Sequence, residues 1–438
     1  MNFEKSNQWR IKAKNLIPGG GHTYSKGDDQ FPALSPFAIQ KGLGARVWDI
    51  DGNEFVDWGM GLGSVLLGHA FPPVVEVVQQ ELQNGCNFIR PSFIEAEVAE
   101  LLANTIPCAE MVKFAKNGSN ATSAAVKLAR AYTGKEVILR CKDHAFFSID
   151  DWFMGNTAVN AGIPKSVQVL TDSFGYNDPQ SLIEKINYHQ NNVACVILEP
   201  AATCEPQDNF LQKVREICTQ YGIVLIFDEV VSGFRFHPKG AQYLYGVTPD
   251  LASFGKAMAN GFSISALTGK KEIMERGGID HPYERVFLLS TTYGGETHHL
   301  RAAQKTLQLL LQDDYAITKH IWQTGKTIKE AYNQIARELG ISDFTKAEGI
   351  DCRPYFSFTN TLGEQDPFLR TLFMQEMIKS GVLLQVIIPS YSHRDSEISQ
   401  TIEGFEKSLK VIAQAIEKGN TKELLVGNET KPVFRKYN

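Results

Sequence analysis

The strongest constraint on the fold is an alternation of helical segments with short apolar strands, which begins near Val74. Four apolar strands are predicted at residues 137–140, 194–198, 223–227 and 264–268. The helix before the third strand carries apolar residues at helical spacing, and Gly222 follows it where a C-terminal cap belongs. Strand, helix, strand in this order predicts parallel pairing with helices on both faces of the sheet. The expected fold class is α/β.

The two ends of the chain have a different pattern. Residues 46–57 alternate apolar and polar side chains about the pair Asp51-Gly52, which predicts a β-hairpin. Beyond about residue 320, longer helices are predicted at 368–379 and 397–417. We therefore expect residues 1–65 and 321–438 to form one smaller α+β domain beside a large α/β domain of residues 66–320.

One lysine and one acid define the candidate chemistry. The third apolar strand ends in Asp228-Glu229, and Lys256 follows Asp228 by 28 residues in a loop that contains Gly255. Pyridoxal phosphate chemistry requires a lysine that carries the aldehyde as a Schiff base and a carboxylate that keeps the pyridine nitrogen protonated. A capping or ion-paired carboxylate, for example with Arg235, is the simpler alternative for Asp228. Ligands bind at the carboxyl ends of strands in open α/β sheets, which favours the catalytic interpretation.

A candidate phosphate site precedes these residues in the chain. Asn117, Gly118 and Ser119 open a predicted helix, where free backbone N–H groups and the positive end of the helix dipole can hold a phosphate. Asn and Ser are also common helix caps, so this segment alone would favour the structural interpretation. In combination with Lys256 and Asp228, the phosphate interpretation is favoured.

Three further residues are candidates for the cofactor site. Val230 lies two residues after Asp228, so its side chain is expected on the same side, against the cofactor ring or in the core. Glu199 closes the predicted strand at residues 194–198. His144 could face the cofactor or make a structural hydrogen bond.

Other functional classes are disfavoured by composition and motifs. A net charge of −5 without a basic stripe argues against nucleic acid. No signal peptide and no apolar run of about 18 residues is present, so we expect a cytoplasmic protein that does not enter a membrane. The seven cysteines never occur as C-x-x-C, and His298 and His299 lack a third ligand at useful spacing, so no metal is expected. The glycine motifs of dinucleotide and triphosphate sites are missing.

Taken together, these motifs resemble the class III pyridoxal-phosphate aminotransferases, most closely their glutamate-1-semialdehyde 2,1-aminomutase-like branch. The similarity extends from about Ile17 to about His393 and includes Trp48 to Asn53, Leu67 to His69, Asn117 to Arg130, Leu198 to Pro200, Phe227 to Val230, Gly233 to Arg235, Phe254 to Lys256 and Thr291 to Gly295.

The resemblance implies fold type I, with a mostly parallel seven-stranded sheet, and a homodimer with active sites at the subunit interface. It implies that Lys256 carries the cofactor, Asp228 faces its ring nitrogen, Val230 contacts the ring, and Gly118 and Ser119 hold the phosphate. A phosphate-binding threonine from the neighbouring subunit corresponds to Thr291 or Thr292, which the sequence does not separate.

Departures from the family pattern concern the ring and the substrate. Asp143-His144-Ala145 stands where the family has Tyr-His-Gly, so ring stacking is expected from Phe146 or Phe147. Leu62 replaces the aminomutase's substrate-facing tryptophan, and Lys26 approximately replaces its carboxylate-binding arginine, which argues against glutamate-1-semialdehyde as the substrate. Candidate substrate contacts are His22, Lys26, Arg90 and Tyr293.

These observations favour a transaminase that moves an amino group between an amino donor and a keto or aldehyde acceptor. An intramolecular 2,1-aminomutase acting on a small amino aldehyde would use the same lysine and the same phosphate site. Decarboxylation or racemisation is a lesser variant on the same cofactor. A catalytically silent scaffold protein is disfavoured, because folding alone does not require a costly buried lysine.

Overall fold

The computed structural model describes residues 1–437 and divides them into two compact units. The large unit is formed by Pro72–Thr318 with the last described residues from Lys436, and the small unit by Met1–Phe71 and Lys319–Arg435. No helix among residues 1–437 has the length and apolar character needed to cross a membrane.

The strands, in chain order, are β1 (Ile39–Leu43), β2 (Arg46–Asp49), β3 (Glu54–Asp57), β4 (Met111–Ala115), β5 (Val137–Cys141), β6 (Thr171–Phe174), β7 (Val193–Leu198), β8 (Val224–Asp228), β9 (Leu251–Phe254), β10 (Ser265–Gly269), β11 (Thr345–Ile350), β12 (Arg353–Phe358) and β13 (Val382–Leu383). The α-helices are α1 (Glu4–Leu16), α2 (Met60–Gly63), α3 (Pro72–Leu82), α4 (Phe93–Thr105), α5 (Gly118–Thr133), α6 (Asp151–Met154), α7 (Lys165–Gln168), α8 (Pro179–Tyr188), α9 (Phe210–Tyr221), α10 (Ala241–Leu244), α11 (Lys271–Met274), α12 (Thr297–Leu310), α13 (Ala316–Glu338), α14 (Pro367–Lys379) and α15 (Asp395–Lys418).

The large unit is built on a seven-stranded sheet in the order β4-β10-β9-β8-β7-β5-β6. Neighbouring strands from β9 to β6 pair in parallel, and β8 lies near the middle with every residue buried. Strands buried on both faces are expected to be continuously apolar, as β7 and β8 are. The predicted α/β class with a mostly parallel sheet flanked by helices is confirmed.

The last predicted strand does not pair in parallel. β10 runs antiparallel to both β9 and β4. Only ten residues separate Phe254 from Ser265, whereas a parallel crossover needs about a dozen or more. This short connection is the loop that begins with Gly255 and Lys256. The lysine therefore lies at the carboxyl end of β9, beside the carboxyl end of β8.

The helix α9 illustrates how local sequence determines these elements. Its buried face is formed by Phe210, Leu211, Val214, Ile217 and Cys218. Gly222 ends the helix in the left-handed conformation at φ 60°, which a residue without a Cβ adopts at little cost, and β8 begins two residues later.

The small unit contains a four-stranded sheet, β1-β2-β3-β13, and the separate hairpin β11-β12. The predicted hairpin at Asp51-Gly52 is the turn between β2 and β3, where Asp49 Oδ1 accepts hydrogen bonds from the N–H groups of Asp51 and Asn53. The core of the small unit contains aromatic side chains from several elements, including Trp58, Tyr332, Phe373 and Phe405.

Candidate active site

Asp228 is the last residue of β8, and it is 4% exposed. Its Oδ1 accepts hydrogen bonds from the N–H of Val230 at 3.0 Å and from the hydroxyl of Ser253 at 3.1 Å. Burial, together with the charge of Glu199, raises the pKa of Asp228 to about 7, while the charge of Lys256 acts to lower it. A carboxylate in this setting gains from a cationic partner, because a buried charge is stable only when it is paired.

The second acid of the pair has a structural role. Glu229 is fully buried, and its carboxylate accepts hydrogen bonds from the backbone N–H groups of Ala241 and Gln242 and from the Gln242 side chain. Every one of these partners belongs to the start of α10. Asp228, and not Glu229, is therefore the acid available to a ligand.

Lys256 follows Gly255 at the end of β9 and starts a short 3-10 turn, Lys256–Ala259. Its backbone adopts φ 41°, in the left-handed region that residues with a Cβ rarely occupy. Strain of this kind costs of the order of 1–3 kcal/mol and clusters at functional sites. The strained residue lies at the carboxyl end of β9, next to β8 in the sheet.

Val230 brings the three sequence motifs together. A Cβ added to Gly118 would lie 2.8 Å from Val230 Cγ1, so the first residue of α5 is in direct contact with the segment that follows β8. A Cβ added to Gly255 would lie 3.5 Å from the same Val230 atom. The phosphate motif, the acidic strand end and the lysine loop therefore meet around one valine side chain, although the phosphate motif lies more than a hundred residues before the other two in sequence.

The candidate phosphate cradle is the N-terminus of α5. Asn117 caps the helix and accepts a hydrogen bond from the N–H of Asn120 at 3.0 Å. The N–H groups of Gly118 and Ser119 donate no hydrogen bond within residues 1–437. Ser119 Oγ accepts a hydrogen bond from the N–H of Ile149 at 3.2 Å, which leaves its hydroxyl hydrogen for a ligand. Free donors at the positive end of a 16-residue helix suit an anion.

The two candidate stacking residues have opposite environments. Phe147 is 1% exposed, and its backbone oxygen accepts a hydrogen bond from Thr122 Oγ1 at 2.8 Å. Phe146 is 45% exposed, with its ring 5.7 Å edge-on from Phe153. Phe147 is thus part of the core, whereas Phe146 lies at the surface beside Phe153.

His144 and Glu199 are both buried and lie side by side. The N–H of Glu199 donates to His144 Nδ1 at 3.1 Å, so the histidine ring is held against the end of β7. The ring also lies 4.9 Å from that of Tyr176. The structure thus supplies a structural hydrogen bond for His144, and it places Glu199 where its charge acts on Asp228.

Thr291, Thr292 and Tyr293 form an exposed loop of the large unit. Asn87 Nδ2 donates to the carbonyl oxygen of Thr292 at 3.1 Å. In the described chain, no hydrogen bond joins the two threonines to the cluster around Val230. Arg90 is likewise exposed in this unit.

The remaining substrate candidates lie in the small unit, where His22 and Lys26 are exposed. Lys26 lines a cavity of about 370 Å³ within this unit. Its walls are mainly apolar and include Phe31, Phe37, Val47, Leu62 and Leu383. His69 also lines it, with its Nε2 2.8 Å from Asp57 Oδ2.

The sequence reasoning overlooked a partner of His298 and His299. Glu296 brings a carboxylate oxygen to within 4.8 Å of a ring nitrogen of each histidine, so the premise that a third ligand is lacking is wrong. The ammonium of Lys116 lies against this group, where it contacts Glu296 Oε2 and donates to His299 Nδ1 at 3.1 Å. Burial, with the neighbouring His298 and Lys116, lowers the pKa of His299 to about 4.

Two serines that sequence reasoning missed support the site. Ser253 on β9 lies directly opposite Asp228 in the strand register and donates to its carboxylate. Ser265 Oγ on β10 donates to the carbonyl oxygen of Asn117 at 2.7 Å. The available signal was a serine within an otherwise apolar buried strand, since a buried hydroxyl needs a partner.

These features fit pyridoxal phosphate. A buried acid with a raised pKa suits a protonated ring nitrogen, the glycine cradle admits no side chain beside Val230, and the strained Lys256 lies on the same edge of the sheet.

Comparisons with known proteins agree with this assignment. Residues 24–350 match the family model described as aminotransferase class-III. The chain is 31% identical over 438 residues to glutamate-1-semialdehyde 2,1-aminomutase of Geotalea daltonii, covering 94% of this chain and 100% of that protein. It is 33% identical over 416 residues to 3-aminobutyryl-CoA aminotransferase of Cloacimonas acidaminovorans, covering 92% and 96%. The solved structure of the Sphingopyxis sp. MTA144 FumI protein in its PLP internal aldimine form superposes with a TM-score of 0.86 at 25% identity, covering 94% and 97%.

Proposed function

This chain belongs to the class III aminotransferase family and uses pyridoxal phosphate, and we propose that it transfers an amino group from an amino donor to a keto or aldehyde acceptor with the cofactor carried on Lys256. The observation that carries the residue assignment is the meeting of Gly118, Asp228 and the Lys256 loop around Val230. Together these residues match the demands of one cofactor.

When bound, pyridoxal phosphate supplies a ring that withdraws electrons from the carbon that carries the amino group. Asp228 would hold the ring nitrogen protonated, since an ionised acid in this buried position is stabilised by a neighbouring cation. The ε-amine of Lys256 would move a proton to and from the reacting carbon as general acid and base.

The remaining residues would hold and orient the cofactor. The N–H groups of Gly118 and Ser119, with the Ser119 hydroxyl, would bind the phosphate, and Asn117 would keep them in place as the helix cap. Val230 would pack on one face of the ring, and Phe146, which is 45% exposed, would stack on the other. His144 and Glu199 would support the site from the end of β7.

A second function is supported by the relatives. Glutamate-1-semialdehyde 2,1-aminomutases are 31% identical to this chain over most of its length, and an aminomutase would use the same Lys256 and the same cradle. The two relatives' names supply the first compounds to test, glutamate-1-semialdehyde and a 3-aminoacyl thioester. His22, Lys26, Arg90 and Tyr293 are proposed to contact the substrate.

The stoichiometry of the products separates the two functions. A transaminase given a donor and an acceptor releases one keto product for each amino product formed. An aminomutase returns both functional groups on one molecule, so no keto acid accumulates. Product formation without keto acid release would contradict transamination and support the aminomutase.

We further propose that the protein is a homodimer in the cytoplasm. Exposed apolar side chains of the large unit, Phe88, Ile89 and Phe93, offer a surface for a second copy, and Ile89 is completely exposed. The exposed Thr291 and Thr292 would then contribute to the partner's phosphate site. The seven cysteines are all free thiols, as is usual in a reducing compartment. Sedimentation analysis of the purified protein tests the dimer, and a monomer at micromolar concentration would contradict it.

The cofactor assignment is tested by covalent labelling. Purified protein is incubated with pyridoxal phosphate and borohydride, digested, and mapped by mass spectrometry. The label is expected on Lys256 alone, and Lys256→Ala should lose it together with the visible absorption of the bound cofactor. Lys213→Ala, which removes an exposed lysine of α9, is the matched control and should behave as the wild type. Retention of a single, full-occupancy label in Lys256→Ala would show that another lysine carries the cofactor.

A further inference from the structure

An ion-pair cluster in the large unit joins two distant chain segments. The ammonium of Lys116 contacts Glu296 Oε2 and donates to His299 Nδ1, and Glu296 is 180 residues away in sequence. Lys116 follows the last residue of β4, and Glu296 is the N-cap of α12. We call Lys116, Glu296 and His299 the Lys116 clasp.

Each side of the clasp is connected to a proposed phosphate contact. Lys116 directly precedes Asn117, Gly118 and Ser119, the cradle at the start of α5. On the other side, Glu296 directly ends the loop that carries Thr291 and Thr292. The clasp is therefore the side-chain link between the two segments that are proposed to hold phosphate.

Each segment is also held by contacts of its own. On the cradle side, Ser263 Oγ donates to the carbonyl oxygen of Lys116 at 2.9 Å, and Ser265 Oγ donates to that of Asn117 at 2.7 Å. On the loop side, Asn87 Nδ2 donates to the carbonyl oxygen of Thr292 at 3.1 Å, and the N–H of Thr297 donates to that of Cys86 at 3.0 Å. These bonds fix each segment to different neighbours, whereas the clasp joins the two segments to each other.

The clasp is stronger than an ordinary surface ion pair. The side chains of Lys116 and Glu296 are 29% and 13% exposed, so solvent screens their attraction less than at the surface. His299 is only 14% exposed, and in its neutral form it accepts a second hydrogen bond from the same ammonium. Two acceptors from one turn of α12 give the ammonium a defined position, as charge-assisted hydrogen bonds do.

A metal ion is a less suitable occupant of this cluster. Glu296, His298 and His299 have ligand atoms close enough for a divalent ion. However, the Lys116 ammonium already contacts two of these side chains, and the positive end of the α12 dipole opposes a further cation there. The geometry thus favours an internal cation.

On this basis we propose that Lys116 is a positioning residue, which through the clasp fixes the Thr291–Thr292 loop relative to the cradle of the same chain. The cradle serves this chain's site and the loop serves the partner's, so in the homodimer the clasp determines affinity for the cofactor's phosphate group at both sites. The inference rests on the proposed function, because it assigns a phosphate to both segments. It makes a specific demand on the ligand: only a ligand that carries the phosphate should respond to the loss of the clasp.

The test compares pyridoxal phosphate with pyridoxal, which has the same aldehyde and ring but no phosphate. Lys116→Met keeps the length and apolar stem of the side chain and removes the charge. We expect the dissociation constant of pyridoxal phosphate to rise about tenfold, in line with the loss of a partly buried charge-assisted contact. The affinity for pyridoxal should stay within about twofold of the wild type, since Lys256 and Asp228 are untouched.

Three further variants sharpen the test. Lys113→Met removes an exposed lysine from the same strand, β4, and should leave both affinities unchanged. Lys116→Arg keeps the charge and should recover most of the affinity for pyridoxal phosphate. Glu296→Gln removes the other charge of the clasp and should reproduce the selective loss, which covers the case in which Lys116→Met does not fold.

The outcomes distinguish this inference from the proposed function. An equal loss of affinity for both ligands would mean that Lys116 only stabilises the fold, and unchanged affinity for pyridoxal phosphate would mean that the clasp does not position the loops; either result overturns the inference and leaves the proposed function intact. Wild-type protein that binds neither ligand at Lys256 would overturn the proposed function and the inference with it.

Discussion

Removing the charge of Asp228 should make the apoprotein more stable while it destroys the cofactor site. Burial raises the pKa of Asp228 from 3.8 to about 7. One pH unit corresponds to about 1.4 kcal/mol, so ionised Asp228 costs the folded apoprotein about 4 kcal/mol at pH 8. Asp228→Asn keeps the acceptor oxygen for Val230 and Ser253 and avoids that cost.

The pH dependence has a definite sign. The folded protein holds the proton of Asp228 up to about pH 7, whereas the unfolded chain releases it near pH 3.8. The folded state therefore binds more protons between these values, and stability falls as the pH rises through this window. The penalty is complete above pH 7 and about half as large at pH 5.5. The stability advantage of Asp228→Asn should shrink in the same way.

Urea denaturation of apoprotein at pH 8 and pH 5.5 measures this difference. We expect the free energy of unfolding of Asp228→Asn to exceed that of the wild type by about 2–4 kcal/mol at pH 8, after allowance for the buried amide. Glu229→Gln is the matched control, because burial also raises the pKa of Glu229 to about 7, but three N–H donors occupy its carboxylate. That variant places an NH₂ group against a donor and should be destabilised at both pH values.

Two results would refute this reasoning. If apo Asp228→Asn were no more stable than the wild type at pH 8, the ionised acid would carry no penalty and would have no need of a cationic partner. If its advantage were the same at pH 5.5 and pH 8, the gain would come from packing and not from charge. With pyridoxal phosphate present, the wild type should gain more stability than the variant, since ligand binding to the folded state adds to its stability.

Three further predictions concern the neighbours of this acid. Gly118→Ala should cost about 1–3 kcal/mol of stability and weaken cofactor binding, because its Cβ would lie 2.8 Å from Val230 Cγ1. Adding Val230→Ala should relieve the stability loss in thermal unfolding, and a double variant whose two effects simply add would contradict the steric cause. Phe147→Leu should lower the free energy of unfolding by about 1–2 kcal/mol, because Phe147 is buried. Phe146→Leu should leave the apoprotein stable but weaken its affinity for pyridoxal phosphate, measured by fluorescence titration. The reverse pattern would exchange their roles. Ser253→Ala should remove the hydrogen bond that Ser253 donates to Asp228 and lower the free energy of unfolding by about 1 kcal/mol or more above pH 7. An unchanged free energy of unfolding in urea denaturation would show that this bond is not formed.

The fold class and the chemistry of the site were accessible from the sequence because their signals are local. The helix α9 is encoded by side-chain spacing and by Gly222, and the cradle by Asn117 and Gly118 at the start of α5. The parallel direction predicted for β10 was wrong, because apolar strands look alike whichever way they pair. The length of the Lys256 loop contained the missing information.

Within the site, the sequence could name candidates but could not choose between neighbours. Phe146 and Phe147 are identical in type and adjacent, both rings lie edge-on to Phe153, and only the burial of Phe147 in the core distinguishes them. Glu296 lies only three residues before His299 and was missed as its partner despite this local spacing, whereas no local pattern relates either residue to Lys116, which lies 180 residues before Glu296.

By itself, the sequence determined that this protein is an α/β enzyme with a lysine and an acid spaced for pyridoxal phosphate, since backbone periodicity, caps and residue chemistry are properties of short segments. Tertiary structure alone decided which acid of the Asp228-Glu229 pair is available to a ligand, which phenylalanine is buried in the core, and what Lys116 binds. The physical reason is that burial and hydrogen-bond partners come from residues far apart in the chain, and these determine the charge state and freedom of each side chain.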